Sequence, residues 1–500
     1  MPLNLITDAW ISVRCADGFR RTIAPWEMAY DTIIAPDWPR PDFNIACYEF
    51  LIGLVYLADP PAYVDDWSDR KAPDPTRLRD KLIPYASAFN LLGDGPLFMQ
   101  DFEAFGGEGN GTDMLFIDSA GENAAKKNAD VMVHRGRYGP LGLAFAAMAI
   151  YTFQTFAPTG GAGNRTSMRG GGPLVTLVDP NTTPNGAMWN VIWANVPYGR
   201  PSEARELPWM RATAQSDKGQ QTLPPAGKTF GVEAFFGMPR RLRLRAEADK
   251  VIDVVQKPSG TNYALWKHPL GPYRRKDDEW ISKHPTVGRF GYRSWLGVVA
   301  LEAKKSLNSE LALCVRNANE RFGDFNVIVA GWAMDNMKPR DFTLSVAPNF
   351  KLSDEGSLWL ENLINGANAA ATALRGSLEH LLHDGEAREA QREVFFLETE
   401  TRFLAHLQAV KAGKNPSAAW LADLRAQALG QFDALALPLI EQQESAKIKK
   451  LVDARSILEL AFAGYTKWRD KKTGLMKIRL GSDIFSALDL PLPEKKGKAE

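Results

Sequence analysis

The opening stretch Asn4-Leu-Ile-Thr-Asp-Ala-Trp-Ile-Ser-Val-Arg14 alternates apolar and polar positions and then meets Ala16-Asp17-Gly18. A period of two that runs into Asp-Gly predicts a β-hairpin with its turn at Asp17-Gly18. Ile45–Ala58 and residues 139–156 are apolar on every side and read as buried helices, with a Pro/Asp-rich loop from Pro60 to Pro75 after the first. From about 173 to 345, prolines and glycines break the pattern into short patches. Leu174–Val178, Ala312–Val315 and Val327–Ala330 read as strands, and Arg240–Arg245 alternates Arg with Leu. Near Leu352 the period changes. Leu358, Leu360, Leu363 and Ile364, then Phe395, Phe396, Phe403, Leu404 and Leu407, fall at helical spacing. Segments 355–383, 387–411, 416–444 and 446–470 are separated by short breaks at Asp384-Gly385 and Gly413–Pro416, which suits antiparallel neighbours in a four-helix bundle. The pattern therefore predicts an α+β chain: a large, irregular mixed N-terminal domain over 1–350, a C-terminal four-helix bundle over 351–490, and a disordered tail over 491–500.

Composition adds little to that division and narrows the setting. At 500 residues the chain is too long for one ordinary core, and 45% hydrophobic with 24% charged residues is the balance of a globular protein. Cys15, Cys47 and Cys314 lie far apart with no CxxC, which argues against a zinc ribbon and fits a reducing cytoplasm. Asp8 and Arg14 bracket too short an apolar stretch for a signal peptide, and no apolar run reaches a bilayer span, so a cytoplasmic protein without membrane contact is expected. The net charge of +1 hides an asymmetry. Residues 1–120 hold 9 Lys/Arg against 19 Asp/Glu, whereas residues 240–305 hold 15 against 7. A basic block in a neutral chain can hold a phosphate backbone locally; it can equally be a solvated face whose charges pair across the fold.

The motifs that carry chemistry are sparse. Gly160-Gly-Ala-Gly-Asn-Arg-Thr-Ser-Met-Arg-Gly-Gly-Gly172 is the most glycine-dense segment, without the Gly-Lys-Ser/Thr ending of a nucleotide loop or the dinucleotide spacing. It offers backbone for close approach beside two cations, Arg165 and Arg169, or else an ordinary surface loop. His380 and His383 fall at a predicted helix end, where they complement the dipole rather than bind metal, and no nucleophile elbow, Cys–His pair or carboxylate pair is found. No cofactor or catalytic residue is expected on this pattern, and the chain reads as a binder. Gly331-Trp-Ala-Met-Asp-Asn-Met-Lys-Pro-Arg340 reads as a hairpin tip. There Asn336 is able to hydrogen-bond base edges, and Met334 and Met337 to wedge between bases; a surface loop with Met packed beneath is the alternative. Lys126-Lys127-Asn128 opens a basic loop that is either a contact or a solvated linker.

Taken in order, several segments resemble the CasA family, the large subunit of the type I-E CRISPR surveillance complex, Cascade. They are Asn4-Leu-Ile with Trp10-Ile and Val13-Arg14, Pro96-Leu-Phe-Met-Gln100, Ala157-Pro-Thr-Gly-Gly, Arg169-Gly-Gly-Gly-Pro173, Trp266-Lys-His-Pro-Leu270, Gly331–Arg340, and the helical end. The resemblance implies a non-catalytic subunit bound to CRISPR RNA and other Cascade subunits. Such a subunit reads a protospacer-adjacent motif (PAM) in double-stranded DNA, starts strand separation and docks a recruited helicase–nuclease. It places a glycine loop on Gly160, Gly161, Ala162 and Gly163, flanked by Arg165 and Arg169. It places a lysine finger in Val254–Gly260 with Lys257 at its centre, and a wedge on Asp335, Asn336, Met337 and Lys338. Lys126, Lys127 and Asn128 become a guide-RNA or complex contact. Two departures stand: no cysteine cluster precedes the finger, so packing alone holds it, and Asn336 occupies a tip where some members carry glutamine. The competing readings are a metal-dependent nuclease acting on DNA, and a scaffold binding only partner proteins and guide RNA.

Overall fold

In the computed structural model, the described residues are 3–119, 136–161, 163–180, 187–302, 308–440, 444–469 and 476–494. The chain divides into two units, one made of residues 1–290 and 307–349, the other of 291–306 and 350–500.

The first unit opens with the expected hairpin. β1 (Ile11–Cys15) pairs antiparallel with β2 (Arg20–Ile23), and β3 (Ile33–Pro36) covers the other edge of β1. α1 (Pro41–Ala58) is buried on nearly every face, as the apolar run from Ile45 to Ala58, with Glu49 its one charge, requires. Gly53 lets it approach its neighbours, since a Cβ there would stand 2.7 Å from the Phe235 Cβ. α2 (Leu143–Phe156) packs along it, and Phe50 meets Tyr151 edge-on with ring centroids 5.4 Å apart. Phe98 and Trp209 extend this aromatic core.

After α2 the chain crosses a long loop to β4 (Val175–Asp179), followed by α3 (Met188–Asn195). β5 (Arg241–Glu247) and β6 (Lys250–Lys257) form a hairpin in which Leu242 and Leu244 are buried. β7 (Tyr273–Lys276) and β8 (Glu279–Ser282) form a second. Ala312–Val315, expected as a strand, instead begins α4 (Leu313–Arg321). Cys314, Val315 and Ala318 face inward at helical spacing, a period that a four-residue window is too short to show. β9 (Phe325–Asp335) pairs with β4 on one side and β10 (Lys338–Asn349) on the other, in the order β10-β9-β4.

The second unit holds α5 (Asp354–Ser377), α6 (Gly385–Lys411), α7 (Ser417–Ile440) and α8 (Ser445–Phe462). Ser353 and Asp384 cap the first two, accepting from the Gly356 and Glu386 amides at 3.1 and 3.0 Å. Residues 291–306 belong to this unit, which the single expected boundary at 350 does not show. Tyr292 stacks on Phe403 at 4.1 Å and its hydroxyl meets Thr399 Oγ1 at 2.7 Å. The segment expected to stay helical to 470 stops at Phe462. Gly464, at φ +87°, ends it, and Tyr465-Thr-Lys-Trp-Arg469 takes up a period of two. That stretch is β11 (Tyr465–Arg469), paired with β12 (Met476–Leu480), before a closing α9 (Asp483–Leu488) packs on α5. Part of the expected tail, 495–500, lies outside the described residues. Among the described residues no helix is long and apolar enough to cross a membrane.

Candidate nucleic-acid interface

The loop from Ala157 to Gly172 is pinned at both ends. Ser167 donates its amide to Ala157 O at 2.9 Å and Gly172 to Phe156 O at 3.0 Å. Between them, Asn164 donates to Gly161 O at 2.7 Å, closing a tight turn with Gly161 and Gly163 at φ +70° and +76°. Two glycines also lie tightly against neighbours. A Cβ on Gly160 would stand 2.7 Å from Arg240 Nη1, and one on Gly163 would stand 3.0 Å from the Ser259 amide nitrogen.

Those neighbours tie the loop to the end of β6. Gln256 Nε2 donates to Asn164 Oδ1 at 2.8 Å. Arg240 Nε donates to Arg165 O at 2.6 Å, and its Nη2 to Pro158 O. Arg165 Nε reaches Ser216 Oγ at 2.8 Å, and that hydroxyl donates to Gly260 O at 2.5 Å. Lys257, half-buried at the last position of β6, lays its Nζ 4.6 Å from the centroid of Phe105. Of the segment expected as a finger, Val254–Lys257 is strand, and only Pro258–Gly260 turn away from it.

The β9–β10 hairpin closes on Asn336-Met337, both at positive φ (+48° and +62°), as a two-residue primed turn demands. Asn tolerates that region; Met there costs roughly 1 kcal/mol of strain. Asp335 holds the tip by accepting from Arg340 at 2.7 Å and Asn336 Nδ2 at 3.1 Å. Met337 is 47% exposed, and its sulfur lies 3.3 Å from where a Gly171 Cβ would be. Met334 and the Trp332 carbonyl close similarly on Gly172. The loop, the end of β6 and the hairpin tip therefore meet in one place. The sequence shows each segment but not their meeting.

Other expected contacts are placed differently. Arg169 is no surface cation: its side chain is 2% exposed and donates to Glu49 of α1 at 2.8 Å, with His268 Nε2 3.4 Å from the same carboxylate oxygen. Burial pushes the Glu49 carboxyl up while Arg169 pulls it back, and burial with Arg169 holds His268 well below its usual range, as the neutral imidazole. Much of the basic block is structural too. Arg240 is buried, its guanidinium pushed down to about 10 by burial. Arg241 pairs with Asp101 at 2.6 Å, Arg243 donates to Asp101 O at 3.0 Å, and Arg245 pairs with Asp253 at 2.5 Å. Arg274, Arg275 and Lys276 are exposed on β7. Ala162, Lys126, Lys127 and Asn128 lie outside the described residues. Sequence reading missed Glu49, Arg240, Ser216 and Gln256 as the residues that hold this site. Only Glu49 left a signal, as the single charge within Ile45–Ala58. Among the described residues no group of three or more His, Cys, Asp or Glu could hold a metal ion.

Residues 4–431 match the family model for CRISPR-associated protein Cse1. A search of curated proteins finds no match. Among solved structures, Thermus thermophilus CasA (Cse1) is 17% identical with a TM-score of 0.72, over 91% of this chain and 98% of that one. Cse1 from Acidimicrobium ferrooxidans is 17% identical with a TM-score of 0.67, over 93% and 98%. A chain of a CRISPR RNA-guided surveillance complex is 14% identical with a TM-score of 0.66, over 92% and 99%. At these identities the structures share the fold.

Proposed function

The chain belongs to the family of CRISPR-associated protein Cse1, and on that footing we propose that it is the non-catalytic large subunit of a Cascade surveillance complex that recognises a PAM in double-stranded DNA. In this reading it sits with CRISPR RNA and the other Cascade subunits, starts target unwinding, and docks the recruited helicase–nuclease. The solved relative from an RNA-guided surveillance complex supports the partners. The observation that carries the DNA role is the meeting of a backbone-rich glycine turn, the end of β6 at Gln256 and Ser259, and an exposed Asn-Met tip, with Lys257 next in the chain and its side chain laid on Phe105.

The chemistry fits a tolerant reader of a short motif. A minor groove presents a degenerate pattern, which backbone around Gly160–Gly163 and one lysine can meet without side chains for every base. Guide pairing supplies the remaining specificity. Lys257 is held over Phe105 by a cation–π contact worth only about 0.5–1 kcal/mol at a partly exposed site, so turning it to a base edge costs little. Arg165, committed to Ser216, acts in this reading by holding the loop beside Gly260.

Lys257→Ala is expected to weaken binding of the assembled complex to PAM-containing duplex by ~1–3 kcal/mol and to leave PAM-less duplex nearly unchanged. Equal losses on both in a titration would make Lys257 a plain phosphate contact and remove it from PAM reading.

A further inference from the structure

The β11–β12 ribbon carries a face that duplex reading does not use. Its register sets Thr466 opposite Arg479 and Trp468 opposite Lys477. Opposed residues of an antiparallel pair share a face, so these four side chains lie together. Trp468 is 36% exposed, Lys477 and Arg479 are exposed, and the Arg479 guanidinium lies 5.6 Å from the indole centroid. Of the charged residues in the two strands, Lys477 and Arg479 share the Trp468 face, and neither strand carries an Asp or Glu. By sequence the β7–β8 stretch 274–279 balances three Lys/Arg with three Asp/Glu, whereas 465–480 holds six Lys/Arg against one acid, Asp470. Among the described residues the ribbon has no third strand, and its base is tied down by Thr466 Oγ1 to Gly481 O and Ser482 Oγ to Ala461 O, each at 2.6 Å. It lies beyond residue 431, where the family match ends.

We propose that this face binds an unpaired DNA strand, one base stacking on Trp468 while flanking phosphates meet Lys477 and Arg479. An exposed indole among cations suits a single strand, whose bases are free to stack, better than a duplex, whose bases are already stacked on each other. Both charged side chains on this face, Lys477 and Arg479, are cationic, which suits phosphates. The choice of DNA over RNA rests on the reading above, in which duplex opening exposes an unpaired DNA strand.

The test titrates the full chain with labelled oligo-dT, oligo-U and PAM-less duplex. Trp468→Ala is expected to weaken oligo-dT binding roughly tenfold, with Trp468→Phe retaining most of it. Lys477→Gln with Arg479→Gln should flatten the slope of log K against log salt by about 1.4, or two phosphates on a single strand. Duplex binding should stay nearly constant throughout. Unchanged oligo-dT affinity in Trp468→Ala, or an equal loss on duplex, overturns the site; a loss confined to oligo-U overturns the assignment to DNA. Because the ribbon variants can misfold, the unaltered chain is also photocrosslinked to an oligo-dT carrying 5-iodouracil. A crosslink on the peptide containing Trp468 is expected, and crosslinks found only elsewhere overturn the proposal. Lys257→Ala should leave this binding intact, so failure of PAM reading and failure of this site are told apart.

Discussion

Replacing Arg169 by Ala should destabilise the first unit by roughly 3–5 kcal/mol, the usual cost of stranding one charge of a buried pair. The Glu49 carboxylate would stay in the core with its guanidinium partner gone and only a depressed, neutral His268 beside it. Arg169 lies inside the 157–172 loop and Glu49 in α1, so the pair fastens the loop to the core. Urea unfolding followed by probes in this unit measures the cost. Arg169→Met combined with Glu49→Leu removes both charges together and should lose clearly less than the sum of the single changes. Additive losses would show that the two residues contribute separately, and the fastening would have to come from backbone contacts instead.

A second large effect is expected at the hairpin tip. Unstacking one base step costs a few kcal/mol, and a wedge recovers that by filling the gap with side-chain atoms. Truncating Asn336 and Met337 together to Ala should therefore slow R-loop formation by the assembled complex about tenfold or more on fully paired targets. Initial PAM contact should be largely intact. Both positions have positive φ, where Ala is itself strained, so the paired Gly variant serves as the control: it removes the same side chains and keeps the turn. A target already mismatched between its own strands beside the PAM needs no opening and should restore the rate in both variants. If that bubble target stays slow, the tip is not a wedge.

Periodicity carried much of the architecture. The first hairpin and the four long helices were legible from a sustained period with clear breaks, and α1 and α2 from long runs apolar on every side. Short patches were not, as Ala312–Val315 shows by being the start of a helix. The end of α8 was missed because a helical pattern passes into an alternating one with only Gly464 between them. At the site, residue types were visible and destinations were not. Arg169 beside glycines looks like a surface cation until Glu49, 120 residues earlier, is seen across from it. Arg240–Arg245 lies in the basic block that was able to face a phosphate backbone or pair across the fold, and Arg240 and Arg241 are buried with carbonyl and carboxylate partners. Ion pairing across a fold leaves no periodic trace in a sequence, whereas packing does.

Binding of the assembled complex to a duplex library randomised at the PAM tests the DNA-reading role most directly. With this chain present, the bound fraction should be enriched in a narrow set of motifs, and Lys257→Ala should flatten that enrichment while guide-matched binding to opened targets persists. Equal recovery of all motifs with the unaltered chain would contradict PAM recognition by this subunit.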